Sequence, residues 1–310
     1  MWRSPRINLS GDYGKGVVEL DGAELEEGYL AERLIATVRE TFKSSSYSPP
    51  VLPAAALEIH QISLQSEVQL SAIVAMLEKD PLLAARVIKV ATSPLYGGRA
   101  VQSLQDAVVR LGLQNVREVV WQVALNMKVF RSKTYQAPME LVRRHSVAVA
   151  HLSRAIGKLT PVPLDYAFLC GLLHDVGAAA VLLLLEDSTG GERPLSREVL
   201  DLVLGACHAE ASAVLAGVWS LPADVALVLR HHHAVDIEGH THPTAAIIAL
   251  AEQVLFQLEG ESAPGWVPRW DESSQRAWTI AQRALGLPGQ ALNAIENECS
   301  KILERLGEST

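Results

Sequence analysis

The chain has 310 residues, 49% of them hydrophobic and 20% charged, enough to bury a large core as one big domain or two smaller ones. Aromatic residues make up only 5% while Leu, Ala and Val abound, which favours packed helices over paired strands. A formal net charge of -8 and a sequence pI of about 5.7 exclude a global electrostatic pull toward nucleic acid or an anionic membrane.

Residues 1–22 are Gly-rich and irregular, with a short apolar patch at Val17, Val18 and Leu20 that suits a strand or a docked arm. From Glu24 to Lys43, Leu30, Leu34, Val38 and Phe42 recur every fourth residue, which predicts an amphipathic helix that must dock on something. Ser44 to Pro50 reads as a linker, because serines and paired prolines cannot extend that helix. About six helices follow. Ser66 with Gln69 resembles a capping box ahead of the stripe Leu70, Ile73, Val74 and Leu77. Asp80-Pro81 restarts the next helix. Ser103 and Asp106 start another, which Gly112 ends, and a longer helix runs from Asn115 to about Phe130.

A second block begins near Pro138 and carries His145. Residues 166–185 are long and apolar enough to resemble a membrane span, but His174 and Asp175 fall near the middle, flanked by Gly171 and Gly177, so a buried pair of core helices is the expectation. A helix from about Ser196 to Ala216 holds His208, the next ends in His231-His232-His233, and Pro243 to Leu258 holds Glu252. Two more helices, about 271–285 and 289–306, close the chain. Cys170, Cys207 and Cys299 are widely spaced and odd in number, which points to buried thiols in a reducing compartment. Met1 to Arg6 leads into no apolar signal region, so the cytoplasm is the expected location.

The His174-Asp175 pair is the most informative feature. Burying two ionisable side chains without partners would cost several kcal/mol. The candidates to compensate them are His145, His208, His232, His233 and Glu252, which arrive on separate segments as a divalent metal requires. Mixed nitrogen and oxygen donors suit one or two ions of Fe, Mn, Zn or Ni better than Ca or Mg, and a water between two such ions would be acidified enough to attack phosphorus. The bland alternative is a hydrogen-bonded relic that fixes helix register. His60, His151, His240 and His242 are left as structural or surface residues. Arg144 and Arg230 would clamp a phosphate well, although paired arginines such as Arg143-Arg144 more often face solvent.

Several segments together resemble the HDOD domain, a bacterial signalling output module related to the HD and HD-GYP phosphohydrolases. They are Leu52-Pro53, Asp80-Pro81-Leu82 with Ala91 to Tyr96, Ser103 to Ala107 with Leu111-Gly112, His145-Ser146, Gly171 to Gly177, and Trp219 to Pro222 ahead of His232-His233. The likeness covers about residues 50–260. It implies an all-α fold in which an N-terminal helical bundle, 48–135, packs on an HD-like helical core, 136–260. Residues 1–47 would be an extension with one amphipathic helix, and 261–310 C-terminal helices packed on the core. It also implies a non-catalytic regulatory role through signalling proteins, such as a histidine kinase, a response regulator or cyclic dinucleotide enzymes. No membrane or nucleic-acid partner is expected, and a homodimer through the Leu30 to Phe42 helix is a further option. Carried over by resemblance, the superfamily's metal positions fall on His145, His174 and Asp175, and the extra histidines of the HD-GYP relatives on His208, His232 and His233. The chain departs from active relatives at Glu252, where Asp is usual, at Ala178, where they carry Lys, and in lacking a Gly-Tyr-Pro after the histidine pair. The competing reading is an active metal-dependent phosphohydrolase acting on nucleotides or cyclic nucleotides, with Asp175, Arg144 and Arg230 in its chemistry.

Overall fold

The computed structural model describes residues 22–52, 54–63, 69–188, 194–237, 239–259, 264–267 and 272–287, with 295, 297, 298, 300, 301 and 304. Described elements are almost all helical. The first, α1 (Gly22–Lys43), lays Ala31 and Val38 against the later helix α9 (Arg197–Val218), and Arg39 donates to the Ala206 carbonyl at 3.0 Å. The amphipathic face read from sequence therefore docks within its own chain. The linker after it turns back to the core, where the Trp219 indole N–H donates to Pro50 O at 2.9 Å.

Helices α2 (Ala54–Ser63), α3 (Leu70–Glu78) and α4 (Pro81–Ala91) pack on α5 (Leu104–Lys128). Helix α3 starts after Gln69, whose side chain makes no cap, and Ser66 of the expected capping box lies outside the described residues. Helix α5 is capped as expected: Ser103 Oγ accepts from the Asp106 N–H, while Asp106 Oδ2 accepts from the Gln102 N–H. Gly112 ends the first helical stretch of α5, as expected, and a second stretch follows directly across a kink. Its φ of 72° with ψ of 160° is a region only glycine occupies without strain, and helix resumes on either side.

Helices α6 (Gln136–Gly157), α7 (Leu164–Leu173), α8 (Val176–Ser188), α9, α10 (Ala223–Arg230) and α11 (Pro243–Glu259) pack around one another, and α12 (Glu272–Ala284) covers α11. The stretch Leu164–Ser188 is long and apolar enough to cross a membrane, yet 89% of its most apolar 18-residue window is buried inside the fold, as a pair of core helices broken at His174-Asp175. A two-residue hairpin, β1 (Asp236–Ile237) with β2 (His240–Thr241), was not anticipated. Positions 1–21, most of the expected 289–306 helix and Cys299 lie outside the described residues.

Two ion pairs tie α5 to the later helices, Arg117 with Asp165 and Arg154 with Glu118. Burial raises the Glu118 carboxyl to about 7 even against Arg154.

Candidate metal centre

Each inward histidine is aimed by its own backbone. His174, His208 and His232 each place Nδ1 at 2.7 Å from a carbonyl one turn earlier, those of Gly171, Leu204 and Leu229. A carbonyl only accepts, so Nδ1 carries a proton and Nε2 faces inward, with a free lone pair wherever the ring is neutral. Neighbours on a helix diverge by about 100°, yet two adjacent pairs converge here because both sit where helix is interrupted. His174-Asp175 occupies the break between α7 and α8, and His232-His233 lies in the turn after α10, with ring centroids 3.9 Å apart.

The α7–α8 break is held from α9. Ser212 Oγ donates to the His174 carbonyl at 2.7 Å and accepts the Gly177 N–H at 2.8 Å, satisfying both groups that the break releases from the helix. Close approach makes this possible. A Cβ on Gly177 would stand 2.1 Å from the His208 carbonyl oxygen and 2.3 Å from the Ser212 nitrogen.

Asp175 is the hub. Its Oδ2 faces His145 Nε2 at 3.7 Å and His174 Nε2 at 3.6 Å, and its Oδ1 faces His208 Nε2 and His232 Nε2, both at 3.4 Å. Glu252 closes the ring, Oε1 at 3.9 Å from His145 Nε2 and 3.6 Å from His174 Nε2, and Oε2 at 3.4 Å from His233 Nδ1. These gaps are too long for hydrogen bonds. They approach the spacing of donors around one ion, since two atoms each about 2.1 Å from a metal stand roughly 3.0–3.4 Å apart. Two groups of donor atoms, each within 4.8 Å of one another, share Asp175: His145 and His174 on one side, His208, His232 and His233 on the other.

Both nitrogens of His145, His174 Nε2, Asp175 Oδ1 and Glu252 Oε1 are buried without a hydrogen-bond partner. Native proteins seldom leave so many polar atoms unsatisfied in one place. His208 Nε2 and His232 Nε2, both lone-pair bearing by the tautomer argument, face each other at 3.3 Å, a contact that a cation between them relieves. The donor set thus fits a divalent transition metal.

Without metal, charge is balanced by protons. Burial pushes Asp175 and Glu252 up, but the surrounding imidazoles override it and hold both well below the usual carboxylate range. Burial opposes charge on His174 and His233 too. Asp175 and Glu252 nevertheless raise His174 to about 9, and Glu252 foremost raises His233. Burial depresses His208 to about 3 against the pull of Asp175, and depresses His232 as well. Two carboxylates thus face two imidazoles that favour charge.

All seven expected donors, His145, His174, Asp175, His208, His232, His233 and Glu252, come together. Six are buried, and His233, with its side chain 25% exposed, marks the wet side. Arg144 and Arg230 are exposed and make no contact with the cluster among the described residues, unlike a phosphate clamp poised on it. His231 stays outside, half-exposed, and His242 pairs with Asp224 at 3.1 Å. Sequence reading missed Ser212 and Trp266. The Trp266 indole N–H donates to Asp175 Oδ2 at 2.8 Å from the turn after α11. A serine inside a helix and a tryptophan after Pro-Gly carry no periodic signal, so only the fold reveals their partners.

A helical core that converges histidines and carboxylates from five segments is of the HD-like class. The HDOD domain model matches residues 50–235, and the chain belongs to that family. Among solved structures, an HDOD domain protein of unknown function from Geobacter sulfurreducens is 25% identical, with a TM-score of 0.61, covering 86% of this chain and 97% of that one. A Shewanella amazonensis protein, provisionally named a metal-dependent phosphohydrolase, shares the fold at 19% identity and a TM-score of 0.64, covering 87% of this chain and 99% of that one. A Marinobacter aquaeolei VT8 protein, provisionally named a signal transduction protein, shares it at 22% identity and a TM-score of 0.62, covering 93% and 65%. An uncharacterized protein of Treponema pallidum (strain Nichols) is 28% identical over 231 residues, 71% of this chain, which spans only 44% of that relative.

Proposed function

We propose that this protein is a regulatory signalling module of the HDOD type whose buried centre holds a divalent transition metal as a structural or sensory ligand, without turning over a substrate. The carrying observation is the set of buried, unpartnered donor atoms on His145, His174, Asp175 and Glu252. His145, His174, Asp175 and Glu252 would hold one ion, and Asp175, His208, His232 and His233 a second. When bound, such an ion supplies Lewis acidity and an acidified water.

Among the described residues, little else of what hydrolysis needs stands at the centre. Ala178, buried beside the centre's helix break, offers no cation, and both candidate arginines face solvent. The output then lies in protein partners of a signalling system. The buried thiols Cys170 and Cys207 support a reducing compartment, the cytoplasm. A second reading, an active phosphohydrolase, draws on the two-subsite donor set and the partial exposure of His233.

Elemental analysis of protein purified without chelator tests the metal. About one to two equivalents of Fe, Mn, Zn or Ni are expected, lost in Asp175→Ala, whereas under about a tenth of an equivalent would reject it. Assays with bis(p-nitrophenyl) phosphate and cyclic dinucleotides in the presence of Mn²⁺ or Fe²⁺ should show no turnover above background. Hydrolysis abolished by His174→Ala would instead establish the enzyme.

A further inference from the structure

Trp266 stands against the centre in a way that ligand supply does not explain. It belongs to the turn 264–267, in which the Val267 N–H donates to Pro264 O at 3.1 Å. It is only 6% exposed, and its Nε1–H meets Asp175 Oδ2, the oxygen that faces His145 and His174. The same turn is pressed on α9, since a Cβ on Gly265 would lie 2.0 Å from Asp201 Oδ2. An indole N–H is a donor only and can serve neither as base nor as metal ligand. A carboxylate oxygen has lone pairs for both an indole and an ion, so the contact fixes the Asp175 carboxylate without using up its donor capacity.

We propose that Trp266 caps the centre on the side of His145 and His174, orienting Asp175 and keeping phosphate esters and chelators away from it; the orienting role rests on the metal reading above, while the covering role does not. Trp266 is thus a positioning residue, and its bulk is a built-in barrier to hydrolysis.

Diethyl pyrocarbonate acylation of metal-free protein, mapped by mass spectrometry at matched pH, tests the cover. His145 should be acylated about tenfold faster or more in Trp266→Ala than in wild type, while Trp266→Phe, which keeps the bulk, retains protection. Equal rates in wild type and Trp266→Ala would overturn the cap. Should Trp266→Ala not fold, Trp266→Leu takes its place, because it removes most of the indole while keeping an apolar anchor for the turn. The same acceleration is expected, and its absence overturns the cap equally. In zinc-loaded protein, Trp266→Phe should weaken zinc about tenfold to hundredfold, as losing a hydrogen bond to a ligand does, and unchanged affinity would remove the orienting role. If wild-type protein takes up neither Zn²⁺ nor Mn²⁺, the metal reading and the orienting role fall together, and the acylation result alone decides the cover.

Discussion

At the scale of the residue, the centre is a problem of where protons sit. Three histidines have Nδ1 held by a carbonyl one turn back, so each ring already aims Nε2 inward, and His174 has only to shed the proton there to bind an ion. In the metal-free protein His174, raised to about 9, and His233 hold the balancing protons. One divalent ion replacing them leaves the site neutral, so loading near pH 7.5 should release about one to two protons per ion, measurable by calorimetry in buffers of different ionisation enthalpy. Release below about half a proton would show that these imidazoles start neutral. The sign for stability follows from the same shifts. His174 favours the metal-free fold fully below its unfolded value of 6.5, and that contribution fades as pH rises through about 9. His208, depressed to about 3, does the reverse, and its contribution is lost as pH falls from 6.5 toward 3. Metal affinity should climb with pH across the range where His174 deprotonates. Ser212 is the other residue-scale device. Ser212→Ala strands the His174 carbonyl and the Gly177 N–H in a buried place and should lower unfolding free energy by about 1–3 kcal/mol in urea titrations.

At the scale of the element, the decisive feature is a helix that is interrupted in the middle of the core. An unbroken helix over Leu164–Ser188 would point His174 and Asp175 about 100° apart, whereas the break turns both into one cavity. Gly177 lets α8 come against the backbone of α9 at that point, and no flexible side chain is available to yield to a methyl group there. Gly177→Ala should therefore destabilise by at least about 1–3 kcal/mol and loosen metal binding at the same time, seen together in thermal melts and metal retention. A melting temperature equal to wild type would show that the two helices can separate without cost. Gly112 shows another use of glycine, its positive φ dividing α5 into two helical stretches that meet at a kink.

At the scale of the whole molecule, a bound ion would cross-link helices far apart in sequence, from His145 on α6 to Glu252 on α11. Stability should then depend on metal by mass action, by about 2.7 kcal/mol when free ion exceeds its dissociation constant a hundredfold. Chelator treatment should lower the melting temperature by several degrees in wild type and by nothing in Asp175→Ala. An identical shift in both would place the ion elsewhere. Much of this architecture was legible beforehand. The order of helices, the buried pair around His174-Asp175 and the full donor set follow from apolar periodicity and from the rarity of ionisable residues in such runs. The uncapped start of α3 and the small hairpin did not, because each depends on local balances of a few tenths of a kcal/mol to about one kcal/mol that neighbouring packing overrides.

The sequence by itself, through ionisable residues set in apolar runs and through its likeness to the HDOD family, pointed to which residues meet, since buried imidazoles and carboxylates need partners. Only the tertiary structure decided how they meet: Asp175 at the hub, Ser212 clasping the helix break, Trp266 over one face and the two arginines turned to solvent. Periodicity reports which face of a helix is buried, but the rotation and approach of one helix against another arise from packing between residues dozens of positions apart, and no local pattern encodes that.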